Sequence, residues 1–174
     1  MLGQDTLYHN ALLDFRDLNN RMKEWGRLRQ ERRDLWFKEC VAETKNADFV
    51  YFDPDDGLER KSRVPTDYEG PKSLYWADLR PFVERKQSLV IYCHQNRERG
   101  TTKYTQLSQR LEQLKDRVPY GSNAFGMLWS KVAVRYFLVV PTDELSAHFR
   151  AICKAMDNEK KGWGQPNFFE LREE

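Results

Sequence analysis

Ala47-Asp48-Phe49-Val50-Tyr51-Phe52-Asp53-Pro54-Asp55-Asp56-Gly57 is the stretch on which the fold turns. Its first half is short, apolar, aromatic and β-branched, and its second half is built from the residues that turns use. That combination predicts a strand with a polar loop at its carboxyl end. The run does not alternate between apolar and polar residues, so both faces of the strand are expected to be covered. Downstream, Ala77 to Lys86 carries Leu79, Phe82 and Val83 on one side, with Pro81 near its start, and predicts a short helix. Ser88-Leu89-Val90-Ile91-Tyr92-Cys93 then reads as a second buried strand. Strand, helix and strand in this order predict a right-handed parallel crossover.

Beyond it, Thr101 or Thr102 can cap a helix whose apolar stripe is Leu107, Leu111, Leu114 and Val118, ended by Pro119 and Gly121. Residues 124–129 and 132–140 can pair through a tight turn at Ser130-Lys131, an antiparallel hairpin that makes the sheet mixed. A last helix, Glu144 to Met156, presents Leu145, Phe149, Ile152 and Met156 on one face. The tail, with Gly162-Trp163-Gly164 and Phe168-Phe169, is expected to pack by its aromatic rings.

Before the opening stretch, Leu12, Phe15, Leu18, Met22, Trp25 and Leu28 recur at three and four, which predicts an amphipathic helix from Ala11 to about Trp36. Gly26 is a point of interruption, with a second short helix through Leu35, Trp36, Phe37 and Val41. Residues 60–71 hold two prolines and a glycine and read as a long loop over the strand's carboxyl end. The organisation predicted is one α/β domain over residues 1–174. Residues 1–46 form a helical segment, 47–141 the sheet core, and 142–174 a C-terminal helix and tail.

With 174 residues, 40% of them hydrophobic, the chain can bury one core. Its net charge of +2 does not by itself point to nucleic acid or membrane. No apolar run approaches the roughly 20 residues that cross a bilayer. The start, Met1-Leu2-Gly3-Gln4-Asp5, lacks the basic and then apolar pattern of a secretory signal. Cys40, Cys93 and Cys153 are an odd, widely spaced set that suits free thiols. Together these predict a cytoplasmic protein.

The chemistry-bearing residues gather at the predicted strand ends. Asp53, Asp55, Asp56 and Glu59 follow the first strand, and His94, Gln95, Asn96 and Arg97 follow the second. Adjacent parallel strands would set these ends side by side, where ligands of open α/β sheets bind. The candidate catalytic residues are therefore Asp53, Asp55, Asp56 and His94, and the candidate metal ligands are Asp53, Asp55 and Glu59. Magnesium or manganese is the ion such oxygens can hold. The plain alternative is that Asp-Pro-Asp-Asp-Gly is a turn. Cys93, pointing away from His94 by strand alternation, is read as core.

Two basic stretches flank these ends. Residues 16–33 carry seven basic residues against three acidic ones, and 97–117 carry six against three. Arg97, Arg99 and Lys103 follow directly on the second strand and are the candidate substrate contacts, suited to phosphate. No glycine-rich phosphate loop precedes a helix, which argues against a nucleotide-hydrolysing or dinucleotide enzyme.

The element order resembles the second half of the class I methyltransferase fold, a three-layer Rossmann-like mixed sheet. Phe52-Asp53-Pro54-Asp55 stands where that fold carries Asp-Pro-Pro-Tyr. The chain is also similar to an uncharacterised bacterial family whose pattern is Asp-Pro-Asp-Asn-Gly-Leu-Glu, then a helix start of the type Lys-Tyr-aromatic-Asp-Glu-Leu, then a strand ending in Tyr-Gln-His. Here these are Asp53 to Glu59, Lys72 to Leu79, and Tyr92-Cys93-His94, with Asp56 in place of Asn and Cys93 in place of Gln. The resemblance implies a methyltransferase-like domain that acts on or binds nucleic acid. It also implies an absent N-terminal half carrying the cofactor loop, so S-adenosylmethionine is not expected to bind this chain alone. Without that half the first strand has a bare edge, and a homodimer or a partner chain is expected to cover it. Two further readings stand beside this one. One is a magnesium-dependent nuclease or phosphodiesterase using the same acids, and the other a non-catalytic, truncated protein-interaction domain.

Overall fold

The computed structural model describes residues 6–7, 9, 11–18, 24–59, 62–96, 99–130, 133–158 and 169–173. Among them the chain forms an α/β fold with a five-stranded mixed sheet and four α-helices. In chain order these are α1 (Trp25–Glu43), β1 (Phe49–Phe52), α2 (Trp76–Glu84), β2 (Ser88–His94) and α3 (Lys103–Arg117), then β3 (Phe125–Ser130), β4 (Val134–Val140), α4 (Asp143–Asn158) and β5 (Phe169–Arg172). The strands lie in the order β1-β2-β4-β3-β5. β1 and β2 are parallel, and every other neighbouring pair is antiparallel. β1, β2 and β3 therefore run one way, with β4 inserted against them.

The main core lies on one face of the sheet. Val50 and Phe52, Leu89, Ile91 and Cys93, Leu138 and Val140, and Leu128 meet Leu79 and Phe82 of α2 and Leu107, Leu111 and Leu114 of α3. Gly126 of β3 lets α3 come close, since a Cβ there would fall 2.6 Å from the methyl groups of Leu107. On the other face, among the described residues, α4 is the one helix that packs, through Phe149, Cys153 and Met156, against Val90, Phe125, Met127, Phe137 and Val139. Among the described residues the layers are thus unequal, and the smaller one leaves part of its face open.

Three expectations change. β1 is not covered on both faces: Val50 and Phe52 are buried, while Phe49 and Tyr51 are 50% and 49% exposed. The strand is at the rim, and α4 reaches it only with Phe149, 5.6 Å from the Phe49 ring.

The segment 11–18 is not helical either. Phe15 and Leu18 are buried there, but the carbonyl of Leu18 accepts from Nε of Arg29 at 2.8 Å instead of from a helical amide. The Arg29 guanidinium lies over the rings of Trp25, Tyr68 and Phe15 at 4.5, 5.5 and 5.6 Å. Gly26 falls inside α1, which runs unbroken through residues 35–41, and Met22 lies outside the described residues.

At the C-terminus the tail supplies a further strand, β5, beside β3. In α4 the buried position is Cys153, while Ile152 is 45% exposed. Gly162, Trp163, Gly164 and Phe168 lie outside the described residues.

Candidate functional site

The loop after β1 closes as a turn, with the amide of Gly57 donating to the carbonyl of Pro54 at 3.1 Å and Gly57 at φ +76°. A left-handed backbone is where glycine is needed. The loop is then zipped to the entrance of α2. Asp56 N donates to Lys72 O at 2.8 Å, Leu74 N to Gly57 O at 3.1 Å, and Glu59 N to Leu74 O at 2.7 Å. The two sequence motifs, Asp53 to Glu59 and Lys72 to Leu79, are in this way two sides of one clasp.

Two of the four acids are held by the clasp. Asp56 pairs with Arg63, and a Glu59 carboxylate oxygen accepts from the amide of Trp76, the first residue of α2, at 3.2 Å. Glu59 thus supplies negative charge where a helix start favours it. Asp53 and Asp55 remain exposed. Among the described residues no group of three or more His, Cys, Asp and Glu is placed to hold a metal ion, so Asp53, Asp55 and Glu59 are not gathered as a ligand set.

The acids and His94 also part company, for a reason in the register. Phe52 pairs with Ile91, so β2 runs on through Tyr92, Cys93 and His94 after β1 has ended. The acidic loop folds back over the Cys93 side of the sheet, where a Cβ on Gly57 would lie 3.5 Å from Cys93. His94 points to the opposite face. Burial pushes the Cys93 thiol up to about 11, which keeps it protonated at neutral pH and fits its place in the core.

On that opposite face stands a different constellation. Tyr51 on β1, Tyr92 and His94 on β2, Phe137 and Arg135 on β4, Trp129 on β3 and Phe169 on β5 share the side that α4 leaves partly open, all half-buried or exposed. His94 packs edge-on against Tyr92, with ring centroids 4.9 Å apart. Tyr92 leans on Phe137 at 5.5 Å. Arg135, directly opposite both His94 and Trp129, donates from Nε to the Tyr92 hydroxyl and lies 5.2 Å over the Trp129 ring. Among the described residues no carboxylate pairs with Arg135. Burial, with a smaller contribution from the nearby Asp53 charge, pushes the Tyr51 phenol up to about 12, so it is a neutral ring at physiological pH.

Of the basic candidates, Arg97 lies outside the described residues and Arg99 is exposed in the loop before α3. Lys103, in the first turn of α3, reaches Ser130 Oγ at 2.9 Å and so sits at the end of β3. The loop leaving β2 is pinned by buried Gln106. Its Oε1 accepts from Asn96 N at 2.9 Å, and its Nε2 donates to Asn96 O and to Thr101 Oγ1 at 2.8 and 2.7 Å. Tyr51, Tyr92, Trp129 and Arg135 were missed by reading strand ends alone. The signal was present in the alternation of Tyr51 with Phe52 and of Tyr92 and His94 with Cys93.

Comparison with family models, curated proteins and solved structures found no match to the chain. Among the described residues no helix is long and apolar enough to cross a membrane.

Proposed function

We propose that this chain is a nucleic-acid-binding domain on a methyltransferase-like, Rossmann-type framework, and that Tyr51, Tyr92, His94, Trp129 and Arg135 form its contact surface. The observation that carries this reading is Arg135. A guanidinium held on an aromatic bed, its Nε committed to Tyr92 and its terminal nitrogens without an acidic partner among the described residues, is pre-organised for a phosphate oxygen. The strand order supports the framework: β1, β2 and β3 run parallel, with β4 inserted against them. The surface lies toward the carboxyl ends of β1 and β2, where open α/β sheets hold ligands.

The residues present suit a methyl donor poorly, since no glycine-rich loop follows a strand at which the donor's backbone contacts could form. A second reading, metal-dependent cleavage of a phosphodiester, rests on the exposed carboxylates Asp53 and Asp55 of the loop after β1. Magnesium or manganese held by two carboxylates takes its other ligands from water and substrate phosphate, so it would enter with the nucleic acid.

The test is fluorescence anisotropy with labelled DNA and RNA at two salt concentrations. Wild-type binding is expected to weaken as salt rises. Arg135→Ala is expected to weaken it about tenfold and to lower the salt slope by about one. No salt-dependent binding by the wild type would overturn the reading, and magnesium-dependent cleavage lost in Asp53→Ala would move the second reading ahead.

A further inference from the structure

We infer that the ligand is a single-stranded segment whose unpaired bases stack on Tyr51 and Tyr92 while a backbone phosphate sits at Arg135, an inference that rests on the nucleic-acid reading above. A base offers its flat face only when it is unpaired or unstacked, and an aromatic ring is the surface that accepts it. Tyr51 presents such a ring at the rim of the sheet, 49% exposed, and among the described residues no further strand lies beside β1. Tyr92 is the next ring inward: Tyr51 pairs with Val90, so Tyr92, two residues further along β2, is its diagonal neighbour on the same face. His94 braces the Tyr92 ring edge-on at 4.9 Å.

The charges around these rings are sorted. The exposed carboxylate Asp53 follows β1 and lies near Tyr51, while the cation Arg135 is on β4. A phosphate backbone is therefore drawn to the β4 side, with its bases directed toward β1. A duplex carries phosphates on both of its edges and would set one strand of them against Asp53. A single strand meets Arg135 and leaves Asp53 facing bases or solvent. The Arg135 guanidinium is fixed in plane by Tyr92 and Trp129, so a phosphate there would hold the neighbouring bases in register with the rings.

The experiment compares three labelled probes on the full chain by anisotropy: a single-stranded oligonucleotide of about 12 residues, an abasic strand of the same length, and the matching duplex. The single strand is expected to bind about tenfold more tightly than either of the others. Tyr51→Ala and Tyr51→Leu should each remove most of the single strand's advantage over the abasic strand. Circular dichroism checks that both variants fold. Equal binding of the single-stranded and abasic probes, or preference for the duplex, would overturn the stacking inference and leave the nucleic-acid reading standing. Binding of none of the three would overturn both.

Discussion

Asp17 shows at the level of one residue how the non-helical N-terminal segment is fastened to α1. Its carboxylate takes two hydrogen bonds from Arg32, at 2.5 and 2.8 Å, and these hold it down to about 2 against an ordinary value of 3.8. A carboxylate whose folded value is depressed stabilises the fold above its unfolded value, and that contribution is lost as pH falls through the folded one. The window is therefore from 3.8 down to about 2. Asp17 is largely exposed and Arg32 partly so, and the contribution is therefore small and screened by salt. Titration followed by NMR is expected to place the Asp17 midpoint near 2 in the wild type and to return it toward 3.8 in Arg32→Ala. A midpoint that does not move in the variant would mean that Arg32 is not what holds Asp17. Asp56 and Glu59 teach a related lesson about reading acids. Close in sequence to Asp53 and Asp55, they suggest a catalytic acid and a metal ligand, yet one answers Arg63 and the other answers the start of α2. Residue type announces a charge but not the partner that neutralises it, because the partner comes from another segment.

Among the elements, α2, α3 and α4 were legible because each carries a period that matches its structure, and the parallel strands and the hairpin because they are short apolar, β-branched or aromatic runs bounded by turn residues. α3 is the clearest case. Thr102 caps it, its Oγ1 accepting from Thr105 N at 3.2 Å while Thr105 Oγ1 accepts from Thr102 N at 2.7 Å. Thr102→Ala is expected to cost about 1 kcal/mol, seen as a lower midpoint in urea unfolding. An unchanged midpoint would show the cap to be idle. α1 was not legible because its buried side is made of Arg29 and Arg33, only 1% and 3% exposed, together with Cys40. Arg29 donates to the carbonyls of Leu18 and Thr66, and Arg33 to Asp78 and Ser73 O. An apolar stripe cannot predict buried arginines whose acceptors are 11 to 45 residues away in the chain. β5 was hidden for a similar reason, since four residues, Phe169–Arg172, become a strand only when β3 offers an edge. The aromatic surface was hidden because it depends on the register of four strands, which no single segment states.

For the whole molecule, the unequal layers decide what remains open. Among the described residues α1, α2 and α3 contribute to the main core while α4 alone packs on the other face, leaving Tyr51 at the rim half exposed. A bare edge of this kind is usually covered. Light scattering at high concentration is expected to give twice the 20.8 kDa chain mass, and Tyr51→Pro, which removes a backbone donor, to give the single mass. The single mass for the wild type would show that the edge stays bare. The strand order also sets a timetable. Among the described strands β1 is made first, yet its neighbour there is β2, and β2's other neighbour, β4, comes more than 40 residues later. The rim must wait for the centre to be made. Its four residues are accordingly the last to dock and the first to let go, so hydrogen exchange should find the Val50 and Phe52 amides opening well before those of Leu138 and Val140.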